Sequence, residues 1–454
     1  MPAWTSPAIY RDLALEWAPA VAHFDVALVG KNLSVGVIGG SISCGVDLIH
    51  PARDAYPALL ARSPRLSVRN YAIRATGVSL PSFCLDTMIA PAEMPDILLI
   101  EYAANDGHMG HIHGVRSIGG DLASHALDPL ASMERLLRRL PRKTIPILLY
   151  MCGPNLIRLF GRRNNKTAAK CSTPSAAVRC PGSCESLYTP LARRYGVREL
   201  SLIDDANATR INWNRDIHPD AAGHQVMAIS VMRAIADMVT AGAVGGQYGS
   251  RLRPHQPIFM DQTWEQADVT WRCLTCDWGG CQALRPKVRE TVGFTVQGNS
   301  EGLTPHQDGH VRKFGYASRR VGDSIAFELG HTGSAHVAVA LLCSHFPTVG
   351  AAMLELWSAA AAHSYGEPLL RLRSKVVDLC WDSPSTQQCV IDLGIAQLPS
   401  NATALVRVRV QETTSVKSKC NRNSSSPPVT HEHPGWNPPD PQVKVFGLYS
   451  QPLR

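Results

Sequence analysis

Two polar residues stand where buried strands end, Ser41 in GGSIS (39–43) and Asn105 in AAND (103–106), and a third, His218 in DIHPD (216–220), lies just before an expected helix. A serine hydroxyl is a weak nucleophile until a base takes its proton. The usual base is an imidazole oriented by a carboxylate. Acyl transfer also needs donors aimed at the developing oxyanion. Ser41 after two glycines suits a nucleophile presented at a sheet edge, although a glycine corner alone would look similar. His218, flanked by Pro219 and charged residues, is not a core side chain, and Asp216 lies two residues before it. The Asn105 amide is a neutral donor suited to negative charge. The stretch NYAIRATG (70–77) adds small residues, Ala75 and Gly77, where backbone N–H groups can approach a substrate.

The elements around these residues follow one rhythm. Near-continuous apolar runs at 33–39, 66–73, 96–104 and 144–152 read as strands, with a shorter one at 198–204. Helical spacing is expected over 128–143, 186–197 and 220–242. Buried strands alternating with helices predict a parallel sheet covered on both faces, with ligands at the carboxyl ends of the strands. Ser41 follows the first strand and Asn105 the third, which is where such a fold would use them. After a glycine- and proline-punctuated linker (246–266), short strand runs between turn residues predict an antiparallel, jelly-roll-like β-sandwich. The expected organisation is therefore an α/β domain over 1–245, the linker, and a β-sandwich accessory domain over 267–454.

The chain has 454 residues and a formal charge of +8 from 45 basic and 37 acidic side chains, spread without a basic block interleaved with aromatics. Nucleic acid is not an expected partner. No apolar run reaches the roughly 18 residues needed to span a bilayer. Residues 1–19 lack the order of a secretory signal. Thirteen cysteines and five N-x-S/T sequons, at Asn32, Asn165, Asn207, Asn401 and Asn423, favour a secreted or lumenal location. The clusters at 171–184 and 273–281 read as local disulfides rather than zinc, because Cys273, Cys276 and Cys281 make only three close ligands. His108, His111 and His113 are read as a substrate loop or solvated side chains, and His431 and His433 as loop residues, so neither metal nor cofactor is called for. Trp271, Trp278, Trp357 and Trp381 are read as packing residues ahead of a sugar-stacking platform.

Taken in order, these blocks resemble the SGNH (GDSL-type) hydrolase family over about residues 30–240. Gly39-Gly40-Ser41-Ile42-Ser43 resembles its Gly-Asp-Ser-Leu/Ile-Ser/Thr block. Ala103-Ala104-Asn105-Asp106 resembles Gly-x-Asn-Asp, and the stretch ending in His218-Pro219 resembles Asp-x-x-His-Pro. The resemblance implies a flavodoxin-like three-layer α/β/α fold and ester hydrolysis through an acyl-serine. Ser41 would be the nucleophile and His218 the base. Asn105 and the Ser41 N–H would serve the oxyanion, joined by Ala75 at the family's second-block glycine or by Gly77. Three departures stand out, the first being Ala75 in place of the second-block glycine. Gly40 replaces the first-block aspartate, for which altered packing is expected. Arg215 occupies the position of the family's triad aspartate, three before His218. Asp216 is the favoured replacement, with Asp204, Asp205 or a Ser-His dyad as the other routes.

The expected activity is hydrolysis of O-acyl esters, above all O-acetyl esters on carbohydrate. The rivals are a lipase or acyl-esterase on small lipids and a glycan-binding protein whose hydrolase domain has decayed.

Overall fold

Five apolar segments form the strands of the first sheet: β1 (Leu33–Gly39), β2 (Leu66–Asn70), β3 (Ile97–Glu101), β4 (Ile145–Tyr150) and β5 (Arg198–Ser201). They pair in parallel in the order β2-β1-β3-β4-β5. Every residue of β3 and β4 is buried, as expected of central strands covered on both faces. The computed structural model describes residues 22, 24, 27–28, 30, 32–74, 76–106, 129–152, 184, 187–202, 211, 213–214, 218–242, 272–276, 283–297, 315–318, 320–332, 334–343, 350–360, 370–379, 387–398, 402–411 and 443–452. The expected linker (246–266) lies outside them, as do the clusters at 107–114 and 431–433 and Trp271, Trp278 and Trp381.

Helices cover the sheet in two groups. Short α1 (Pro51–Asp54) and α2 (Tyr56–Leu60) pack with α6 (Ala221–Thr240). α3 (Ser79–Met88) packs with α4 (Pro129–Arg139), which meets α5 (Thr189–Tyr195). This is the flavodoxin-like α/β/α arrangement expected from the sequence. Asp220 starts α6 by accepting from the Gly223 N–H at 2.8 Å, satisfying one of the helix's orphan donors. The order 2-1-3-4-5 puts a topological switch between β1 and β3, where such sheets open a crevice at their carboxyl ends.

The remaining strands, β8 (Arg272–Thr275) to β18 (Val443–Pro452), belong to a second compact unit. It consists of two antiparallel sheets. One contains β10 (Thr295–Gln297), β11 (Gly315–Ser318), β18, β13 (Ala335–Cys343) and β16 (Gln387–Ala396), with β8 also paired to β18. The other runs β15 (Leu370–Asp378), β14 (Ala351–Ala360), β17 (Ala402–Gln411), β12 (Ser324–Thr332), β9 (Val288–Val292). Along β17, Val406, Val408 and Val410 are buried while Arg407 and Arg409 are not fully so, the period-two pattern of a strand with one face in the core. The unit is the expected β-sandwich.

The cysteines correct one expectation. Cys184 pairs with Cys152 at the end of β4, 32 residues away, instead of closing a local loop. Cys343 and Cys389 tie β13 to β16. Cys273 and Cys276 are disulfide-bonded, not thiolate ligands. Trp357 lies on β14 between the guanidinium groups of Arg371 and Arg407, at 5.9 and 5.6 Å from its ring. Among the described residues no helix is long and apolar enough to cross a membrane.

Candidate active site

β1 ends on Gly39, and Ser41 opens a turn at the carboxyl edge of the sheet beside the β1/β3 switch. The turn is closed by backbone bonds from Cys44 N to Gly40 O (3.2 Å) and from Val46 N to Ser41 O (3.0 Å). Asn70, at the end of β2, braces it by donating its amide to Ser43 O at 2.8 Å. Gly40 accounts for the missing first-block side chain. A Cβ built there would lie 2.3 Å from Asn105 Nδ2, so only glycine lets that amide come this close to the residue next to Ser41.

His218 arrives on a two-residue strand, β7 (His218–Pro219), paired with β6 (Trp213–Asn214) just ahead of α6. Its Nε2 lies 2.9 Å from Ser41 Oγ, and its Nδ1 lies 2.8 Å from Asp47 Oδ2. The carboxylate can only accept, so Nδ1 carries the hydrogen and Nε2 is left to accept from the serine hydroxyl. His218 and Asp47 are largely buried, with side chains 16% and 18% exposed.

Asp47, in the loop that carries Ser41, therefore stands at Nδ1, the position for which the sequence favoured Asp216. Asp216, Asp204, Asp205 and Arg215 lie outside the described residues. Asp47 has φ of 69°, the left-handed region that aspartate tolerates better than most side chains. That conformation ends the nucleophile turn six residues after Ser41 and carries the carboxylate to the imidazole. Strain of this kind costs on the order of 1–3 kcal/mol and clusters at functional sites. The sequence held one signal: Asp47 is an acidic residue inserted among Val46, Leu48 and Ile49, directly after the serine turn.

Asn105 sits in the helical residues 103–106 that follow β3, and its Nδ2 donates to Thr76 O at 2.7 Å. The Thr76 segment is itself held by Asp106, whose Oδ2 accepts from Val78 N at 2.9 Å and from the Tyr188 hydroxyl. Gly77 packs against the Asp106 carboxylate, where a Cβ would have no room. Ala75 lies outside the described residues. Asn105 is thereby fixed between the turn after β2 and Gly40, one residue from Ser41.

Two buried groups under this site were not anticipated. Glu101, the last residue of β3, is 1% exposed, and burial pushes its carboxyl up to about 7. His224, one turn into α6, is fully buried. Burial, reinforced by the charge of His218, pulls its imidazole down to about 3, so it stays neutral. Cys44, the one free cysteine of the described residues, donates to Ala72 O, and burial pushes its thiol up to about 12, which makes it inert as a nucleophile. A separate cleft bounded by Ser34, Arg69, Glu93, Asp96 and Lys143 lies away from the site, by the start of β1.

No protein-family model matches the sequence, and no curated protein matches it. Solved structures do resemble its fold. A two-domain esterase (CEX) active on acetylated mannans aligns over 95% of this chain and 94% of its own, at TM-score 0.50 and 16% identity. An acetylxylan esterase (Axe2) from Geobacillus stearothermophilus covers 49% of this chain and 98% of its own, at TM-score 0.31 and 16% identity. A putative lipolytic protein of the G-D-S-L family from Desulfitobacterium hafniense covers 44% and 99%, at TM-score 0.31 and 15% identity. The full-length alignment with the first and the sheet order agree: the chain has a flavodoxin-like α/β/α fold joined to a C-terminal β-sandwich.

Proposed function

We propose that the protein is a serine esterase that removes O-acetyl groups from carbohydrate. The observation that carries this reading is the unbroken line from Asp47 through His218 to Ser41, with contacts of 2.8 and 2.9 Å. Ser41 Oγ attacks the ester carbonyl carbon while its proton passes to His218 Nε2. The resulting imidazolium is stabilised by Asp47 through Nδ1. The Asn105 amide and the Ser41 N–H, with a backbone N–H from Ala75 or Gly77, receive the oxyanion. The imidazolium then protonates the departing sugar hydroxyl. Water, deprotonated by the same imidazole, attacks the acyl-serine, releasing acetate and restoring Ser41. The chemistry uses no metal or cofactor.

The carbohydrate assignment is supported by the two-domain esterase of like fold, which acts on acetylated mannans. Decay to a glycan-binding protein rested on Arg215, and the Asp47 carboxylate at His218 Nδ1 removes that ground. The test is acetate release from acetylated oligosaccharides by the wild-type chain and Ser41→Ala, beside p-nitrophenyl esters of increasing acyl length. Acetyl-sugar turnover lost in the variant supports the reading. A preference for long acyl chains would point to a lipase instead.

A further inference from the structure

A turn without regular structure must hold Ser41 still, and the source of that rigidity lies below it. One oxygen, Glu101 Oε2, accepts from Gly40 N (3.3 Å), Ser43 N (3.3 Å) and Ser43 Oγ (3.0 Å). These donors bracket Ser41 on both sides, and Gly40 N also donates to the Glu101 backbone carbonyl at 3.1 Å. Since the Ser43 hydroxyl gives its hydrogen to Glu101, the hydroxyl of Tyr56 donates to Ser43 Oγ at 2.8 Å. The Tyr56 backbone N–H donates in turn to His224 Nδ1 at 3.2 Å, on the helix that follows His218. The serine turn and the histidine's helix thus share one buried polar scaffold rooted in Glu101.

We propose that Glu101 is a positioning residue for the reaction: its carboxylate clamps the turn from Gly40 to Ser43 and thereby sets Ser41 Oγ and the Ser41 N–H. The inference rests on Ser41 being the nucleophile. Burying a carboxylate against neutral donors alone is expensive, and a neutral side chain would fill the same space at lower cost. Groups of this kind concentrate where geometry matters to function. The titratable groups that face it are Asp106, Tyr56, Tyr102 and Cys44, none of them cationic. Ionised, Glu101 is the stronger acceptor, so the clamp weakens as the pH falls through about 7.

The experiment measures the rate at which a fluorophosphonate phosphonylates Ser41, together with kcat and KM, for wild type, Glu101→Gln and Glu101→Ala between pH 5.5 and 8.5. Unfolding midpoints show which variants fold. Glu101→Ala is expected to lose about a hundred-fold in labelling rate and in kcat, with KM nearly unchanged, the scale of a displaced reacting group. Glu101→Gln, which keeps shape and one acceptor, should recover part of that loss and lack the wild type's extra fall below pH 7. If Glu101→Ala does not fold, the Gln variant decides. Labelling and kcat at wild-type levels in a folded variant, or a loss of thermal stability alone, overturns the proposal while leaving the esterase reading intact. Failure of the probe to label wild-type Ser41 overturns both.

Discussion

Two carboxylates, one buried and one partly buried, show how differently the two units treat charge. Glu101, under the serine turn, is held by neutral donors, and burial pushes it up to about 7. Asp392, on β16 of the sandwich, is also desolvated. Burial is the largest single influence on it, but the hydrogen bond to His336 Nε2 at 2.7 Å, the His336 charge, the Gly394 N–H and the Lys375 charge together outweigh it and leave Asp392 below the usual carboxylate range. Elsewhere in the sandwich, charges pair along strand faces: Arg407 with Glu290 at 3.0 Å, and Arg289 with Glu328. The sandwich thus compensates its charges, as a structural module does. The α/β unit instead carries neutral His224, raised Glu101 and buried Asp106 beneath one short turn. Desolvated, shifted groups such as Glu101 and His224 near a serine at a sheet switch are the pattern of a reactive site.

This contrast can be broken in several ways. The largest effect is expected for Ser41→Ala, which should lower kcat by at least about a thousand-fold and leave the unfolding midpoint unchanged. Labelling of a different serine by a fluorophosphonate would move the chemistry elsewhere. Asn105→Ala should cost about a hundred-fold in kcat, with a smaller change in KM, because an oxyanion donor acts in the transition state. A loss confined to KM would assign the amide to ground-state binding.

A third prediction concerns stability against pH. Folding raises Glu101 from an ordinary 4.5 to about 7, so the folded state holds the extra proton and stability falls as pH rises across that window, by roughly 3 kcal/mol. His224 is lowered from 6.5 to about 3, so its contribution has the opposite sign: it is present above 6.5 and lost as pH falls. Between about pH 4.5 and 6.5 the two slopes offset each other. Urea denaturation should show Glu101→Gln gaining stability relative to wild type as pH rises from 4.5 to 7. Parallel curves for the two proteins would contradict the buried, unpaired carboxylate. The smallest effect is expected from removing the sandwich. A chain ending near residue 245 should hydrolyse p-nitrophenyl acetate within about threefold of full length, since the Ser41, Asn105, His218 and Asp47 groups all belong to the α/β unit. Complete loss in a folded truncated chain would mean that the β-unit completes the site.

What could be read from the sequence follows the local physics. The apolar runs predicted the parallel strands because period and burial are written in residue type. Ser41 and Asn105 stood out because each follows such a run with a polar group, and His218 because proline and charged residues surround it just before a helix. Asp47 did not, because its role depends on a single left-handed backbone angle, and nothing in residue spacing shows where that angle turns a carboxylate. Asp216, outside the described residues, stood out because it is near His218 along the chain. Glu101 was hidden for the opposite reason: ILLIE reads as a buried strand, and its terminal charge passes for an exposed end. The Cys152–Cys184 bridge was missed because its partners are distant in sequence, whereas Cys184 has near neighbours in its own cluster.

Asp47, from the serine's own loop, is proposed to orient His218. The most direct measurement compares kcat of Asp47→Asn with that of Asp216→Asn. Asparagine tolerates the left-handed conformation, so Asp47→Asn keeps the turn and removes the charge and the correct tautomer. The account predicts a fall of about 10³- to 10⁴-fold for Asp47→Asn, the scale seen when a triad carboxylate is neutralised. Asp216→Asn should stay within about threefold of wild type. Near-normal turnover in Asp47→Asn with a collapse in Asp216→Asn would contradict it.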